Sequence, residues 1–163
     1  MTDRKVRGRF APSPTGPLHF GSLVAAVGSY LSARSQGGEW LVRMEDLDPP
    51  REVKGAADDI LRTLDAYGFE WQGDVLYQSR RRDAYEEALA SLRRRGALYP
   101  CGCTRKEIAD SSIAGIEGPV YPGTCRGGLA PARSARALRV RTDNAVIDFE
   151  DRVQGRQHAA LER

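Results

Sequence analysis

Hydrophobic and polar positions along the chain switch between two periods, and the switching reads strand, helix, strand, helix. Arg7 to Ala11 suits a short strand, which the Pro/Gly/Ser/Thr-rich run Pro12 to Pro17 must end in a loop. Leu23, Val24, Val27, Tyr30 and Leu31 then recur at helical spacing as one buried stripe, with Gly37-Gly38 as the stop. Trp40, Leu41 and Val42 predict a buried strand over Glu39 to Met44, followed by the acidic loop Glu45-Asp46-Leu47-Asp48-Pro49-Pro50. Ala57, Ile60, Leu61 and Leu64 predict a second helix closed by Gly68, and Val75 to Tyr77 a third strand. Tyr85, Ala88, Leu89 and Leu92 mark one face of a third helix, with Arg93 to Arg95 at its negative dipole end and Gly96 as its stop. This order predicts a parallel sheet with helices on both faces.

Cys101 to Ala137 interrupts the alternation. The segment is rich in Gly, Pro, Ser and Arg and poor in large apolar residues, so it buries little core and calls for a metal staple. Leu138 to Arg141 and Ala145 to Phe149 predict strands of a hairpin-like return around Thr142-Asp143-Asn144, and no internal repeat is present. The expected organisation is therefore a first region over 1–100, an insert over 101–137 and return strands over 138–163.

Composition narrows the class. With 163 residues, 40% hydrophobic and 29% charged, the chain fits one ordinary domain with a small insert and not a collagen-like or disordered polymer. The net charge of +3 is slight, but Gly118 to Thr142 holds no acid and carries Arg126, Arg133, Arg136, Arg139 and Arg141. That local field suits phosphate, or else a solvated arginine-rich loop. Phe10 to Ala33 lacks Asp, Glu, Lys and Arg, yet Pro12, Pro14, Gly16, Pro17 and Gly21 break it, so neither a signal peptide nor a membrane span is expected. A soluble cytoplasmic protein with no membrane partner follows. Three cysteines are an odd count, and Cys101 and Cys103 sit too close for an easy bridge, which favours a metal over a disulfide.

Candidate chemistry gathers at three places. Between Pro12 and Ser22 a strand runs through a Pro/Gly loop into a helix, where glycines admit a ligand to the backbone, the helix N-terminus offers N–H groups to phosphate, and His19 is a further donor. The glycine spacing is neither a Walker loop nor a dinucleotide fingerprint, and the same residues also suit a plain helix entry capped by His19. Arg43 to Arg51 delivers carboxylates from a strand end, placed either to bind an ammonium group or as a solvated acidic loop. Cys101, Cys103 and Cys125 offer three thiolates, and zinc prefers four ligands; Tyr121 lies four residues before Cys125, and His158 far beyond it. Three unconnected reduced cysteines are the alternative.

Arg9-Phe10-Ala11-Pro12-Ser13-Pro14-Thr15-Gly16 followed by His19-Phe20-Gly21-Ser22 resembles the first signature of class I glutamyl-type aminoacyl-tRNA synthetases, whose HIGH element here reads H-F-G-S. The resemblance implies an α/β, Rossmann-like class I aminoacyl-tRNA synthetase catalytic half with a zinc-binding insert. It implies that His19 and Gly21 bind the ATP phosphates, that Gly16 lets the nucleotide lie close to the backbone, and that Ser22 stands where the general signature has a second histidine. Glu45 would receive the α-amino group of L-glutamate and Arg9 would pair with a substrate carboxylate by a charge-assisted contact. Ser13 would hydrogen-bond the amino acid, with Phe10, Ala11 and Pro12 completing the run. Leu47 in the acidic loop and the C-x-C…Y-x-x-x-C pattern resemble the glutamyl-queuosine tRNA(Asp) synthetase family, which implies structural zinc on Cys101, Cys103, Tyr121 and Cys125. The implied activity is activation of glutamate by ATP with Mg²⁺ and transfer to queuosine in the anticodon of tRNA(Asp) by a monomer. The resemblance runs through Gly155, whereas the family continues into a second half with a K-[ML]-S-K loop, so a truncated N-terminal part, inactive by itself, is expected. Two other functions are weighed beside this one: the N-terminal fragment of a glutamyl-tRNA synthetase, and a non-catalytic zinc-containing RNA-binding fragment.

Overall fold

β1 (Arg7–Phe10), β2 (Glu39–Met44) and β3 (Leu76–Tyr77) form a parallel sheet in that order, with Arg7 opposite Glu39, Phe10 opposite Val42 and Met44 opposite Tyr77. The computed structural model to which they belong describes residues 5–111, 113–115, 118–142 and 145–161. It divides into two compact units between Tyr85 and Glu86. In the first unit the strand period decides the layering, because Trp40, Val42 and Met44 alternate with half-buried Leu41 and Arg43. The buried set packs with Phe10, with Ala26 and Ala33 of α1 (Phe20–Arg34), with Ile60 and Leu64 of α2 (Ala56–Ala66) and with Phe69. Trp40 is its hub: the indole stacks on Phe69 at 5.3 Å, meets Tyr30 edge-on at 5.2 Å, and donates Nε1–H to Ser29 Oγ at 2.9 Å.

Two sequence expectations change here. The stripe Leu23, Val24, Val27, Tyr30 and Leu31 is not the buried one: Val24, Val27 and Leu31 are exposed, and Ala26 and Ala33 face the sheet, since small residues let helix and strand approach closely. Both helices feed one cluster on one sheet face, while the other face carries the ion pairs Arg7–Glu39 and Arg43–Glu45 among the described residues.

α3 (Arg82–Arg94) begins in the first unit and continues into the second, where it leads to β4 (Leu98–Cys101), and β5 (Ile113–Gly115) pairs with β6 (Gly118–Val120). β7 (Ala137–Val140) returns antiparallel to β4, from Leu98↔Val140 to Cys101↔Ala137. The predicted return of Leu138–Arg141 onto Ala145–Phe149 is therefore corrected. β7 pairs with β4, and β8 (Val146–Asp151) pairs with β9 (Gly155–Ala160). The Asp151 carboxylate accepts the Val153 and Gln154 N–H groups, both at 2.8 Å, and fixes that second turn. Asp143 and Asn144 of the predicted turn lie outside the described residues. α4 (Arg105–Ser111) was not foreseen; Thr104 and Glu107 start it as a reciprocal capping box, with Thr104 N–H to Glu107 Oε2 at 2.7 Å and Glu107 N–H to Thr104 Oγ1 at 3.1 Å. Among the described residues no helix is long and apolar enough to cross a membrane.

Candidate nucleotide and amino-acid site and candidate metal centre

The loop leaving β1 reaches Gly16 at φ 148°, a conformation that side chains resist, and no atom lies within 4 Å of the position a Cβ would take. The loop backbone there is open to a ligand. His19 is the N-cap of α1, and its Nδ1 accepts the Ser22 N–H at 3.2 Å. An accepting Nδ1 carries no proton, so the ring proton sits on Nε2, 3.2 Å from Ser22 Oγ. A Cβ at Gly21 would lie 3.1 Å from His19 Cε1 and would press the ring out of this position. His19, Gly21 and Ser22 are thus brought together as one knot, and the two sequence readings of His19 use different ring atoms: Nδ1 caps, and Nε2–H, which meets Ser22 Oγ here, is the donor that a phosphate oxygen would take over.

The residues suggested for the amino acid separate by exposure. Arg9 and Ser13 are exposed, and Ala11 is half-buried. The Phe10 side chain is buried, its ring stacked 6.3 Å from Trp40, so it serves the core and only its backbone remains for a ligand. Pro12 is buried and its carbonyl accepts the Glu45 N–H at 2.9 Å, which ties the first loop to the exit of β2. The Glu45 carboxylate, expected to meet an ammonium, already holds a cation: Arg43 Nη2 lies 2.5 Å from Oε1. Next to it, Asp46 accepts the Ser79 N–H at 2.9 Å and the Ser79 hydroxyl at 2.5 Å. Burial works to raise the Asp46 pKa, but the Ser79 hydroxyl and backbone donors outweigh it and hold the group below the usual carboxylate value. Sequence reasoning missed Arg43 and Ser79. The alternation of β2 places Arg43 on the Glu45 side of the strand and was readable; nothing local links Asp46 to a serine 33 positions away.

In the second unit the Sγ atoms of Cys101, Cys103 and Cys125 all lie within 4.8 Å of one another, those of Cys103 and Cys125 at 3.6 Å. Tyr121 turns its hydroxyl into the same cluster, 3.4 Å from Cys101 Sγ, and accepts the Cys125 N–H at 2.8 Å. Arg139 lies over the Tyr121 ring at 3.8 Å. Burial works to raise the Cys101 thiol, but hydrogen bonds from Tyr121 and Arg139 outweigh it and lower its pKa toward the thiolate. Burial and the Cys101 contact push the Tyr121 phenol up. Three sulfurs and one oxygen converging at this spacing fit a closed four-ligand site. His158 instead pairs with Asp148 at 2.8 Å on the β8–β9 hairpin.

Residues 5–158 match the family model for tRNA synthetases class I (E and Q), catalytic domain, and the chain belongs to that family. Among its relatives, the Glutamyl-Q tRNA(Asp) synthetase of Dechloromonas aromatica (strain RCB) is 70% identical over 158 residues, covering 96% of this chain and 52% of that protein. The Glutamyl-Q tRNA(Asp) synthetase of Chromobacterium violaceum is 60% identical over 163 residues, covering 100% of this chain and 55% of that protein. The chain therefore spans about half the length of the curated relatives it matches. A solved glutamate-tRNA synthetase from Elizabethkingia anophelis superposes with a TM-score of 0.78 at 26% identity, covering 96% of this chain and 37% of that one.

Proposed function

We propose that the chain contributes the ATP- and glutamate-binding part of an enzyme that activates L-glutamate with ATP and directs the glutamyl group to queuosine in the anticodon of tRNA(Asp). The observation that carries this reading is the 70% identity with a Glutamyl-Q tRNA(Asp) synthetase over 96% of the chain. A glutamate carboxylate oxygen attacks the α-phosphorus, the bond to the β-phosphate breaks, and pyrophosphate leaves with the electron pair. His19 Nε2–H and the N–H groups at the start of α1 stabilise the phosphate charge, and the open backbone at Gly16 accepts the nucleotide, with Mg²⁺ accompanying ATP as substrate. Glu45 takes the α-ammonium, Arg9 a substrate carboxylate and Ser13 a further hydrogen bond. Cys101, Cys103, Tyr121 and Cys125 hold zinc, which closes an insert too poor in apolar residues to fold on burial alone. The insert is assigned to 101–137, closed by the Cys101↔Ala137 pair, between a ligand-binding region over 1–100 and return strands over 138–163.

A second reading, a glutamyl-tRNA synthetase acting on a tRNA 3′ end, is favoured by the similarity to the Elizabethkingia anophelis structure alone, at the lower identity of 26%. Glu45→Gln in the full-length enzyme tests the amino-acid site. Loss of one charge-assisted contact costs about 2–4 kcal/mol. Glutamate-dependent pyrophosphate exchange should show a raised KM for glutamate with ATP dependence little changed, and an unaltered glutamate dependence would contradict the role.

A further inference from the structure

Glu45 is held at two points and its neighbour Asp46 at a third, and two of the holders, Arg43 and Ser79, belong to no function so far assigned. Its N–H is fixed by the Pro12 carbonyl, its Oε1 by Arg43, and its neighbour Asp46 by the paired donors of Ser79. Arg43 is the less exposed member of its pair, and its Nε is buried with no acceptor among the described residues. A buried donor left unpaired is costly and calls for an explanation.

We propose that Arg43, by its direct contact, and Ser79, through the Asp46 beside it, are positioning residues that keep the Glu45 carboxylate in the orientation that receives the ammonium group of an amino-acid substrate. This rests on the reading of Glu45 given above. Two opposing effects decide the sign. A guanidinium on Oε1 competes with an incoming ammonium, but attraction within a half-exposed pair is screened and worth less than about fivefold in affinity. Ordering a glutamate side chain that would otherwise sample many rotamers is worth roughly tenfold or more. Preorganisation wins, and Arg43 leaves Oε2 for the ligand.

The test is a chemical-shift titration of the ¹⁵N-labelled full-length enzyme with L-glutamate, which reads weak binding and reports folding in the same spectrum. The wild type should show saturable shifts at the Ser13 and Glu45 amides. Arg43→Ala should raise the dissociation constant about tenfold, Arg43→Lys less, and Ser79→Ala severalfold with recovery in Ser79→Thr, while ATP-induced shifts at His19 and Gly21 stay as in wild type. Tighter glutamate binding in Arg43→Ala would make Arg43 a competitor and overturn the proposal, as would folded variants that bind with the wild-type constant. Absence of glutamate-induced shifts in the wild type would instead overturn the functional reading, and the positioning role with it.

Discussion

His19 does two jobs with one ring, and substitutions separate them. His19→Ala removes the α1 cap and should cost about 1 kcal/mol of stability in a denaturant melt, whereas His19→Asn restores a good N-cap and should melt near wild type. Both lack the Nε2–H donor, so both should slow adenylate formation about a hundredfold in single turnover. A His19→Asn variant with wild-type adenylation would leave His19 as a cap only. The knot around this residue was half legible in sequence: H-F-G-S gave a strand-to-helix entry and both candidate roles, but the tautomer depends on the Ser22 contact, which appears only once the helix exists. Phe10 shows the converse, since its place in the ligand run hid a core side chain stacked on Trp40.

At the scale of elements, α4 depends on electrostatics more than on packing. Glu107 accepts from Thr104 N–H and, at Oε1, from Arg133 Nη2 at 2.6 Å, and these donors, the Thr104 N–H first, lower its pKa from 4.5 to about 2. A depressed carboxylate stabilises the fold fully above pH 4.5, and that stabilisation is lost as the pH falls from 4.5 through about 2. Thermal melts across this window should therefore show a steeper acid loss in wild type than in Glu107→Gln, and parallel profiles would contradict the box. The T-x-x-E signature of this helix was present in the sequence, but Gly, Pro and Arg on either side masked it. Of the strands after the insert, β7 and β8 were located within a residue or two yet mispaired, and β9 was missed. Pairing is a long-range property, decided for β4 and β7 by the Cys101↔Ala137 closure, and no local period reports it.

Across the molecule, the parallel β1–β2–β3 sheet and the positions of its helices were readable from the alternation of β2 and the periodicity of α2, whereas the face that α1 buries was not. The second unit was not, because its cohesion comes from the sulfur cluster and not from apolar stripes. If Cys101, Cys103, Tyr121 and Cys125 close a zinc site, the purified chain should carry about one zinc by metal analysis, and Cys125→Ser should lose it and become protease-sensitive within 101–137. Tyr121→Phe keeps the ring and removes only the oxygen, so zinc held at wild-type affinity in that variant would remove Tyr121 from the ligand set. The functional reading meets its most direct test in the destination of the glutamyl group. The full-length enzyme is incubated with labelled glutamate, ATP, Mg²⁺ and tRNA(Asp), and the labelled position is mapped by nuclease digestion. Label in the anticodon fragment, absent when the tRNA lacks queuosine, is the predicted result. Label on the 3′-terminal nucleotide, independent of queuosine, would contradict it.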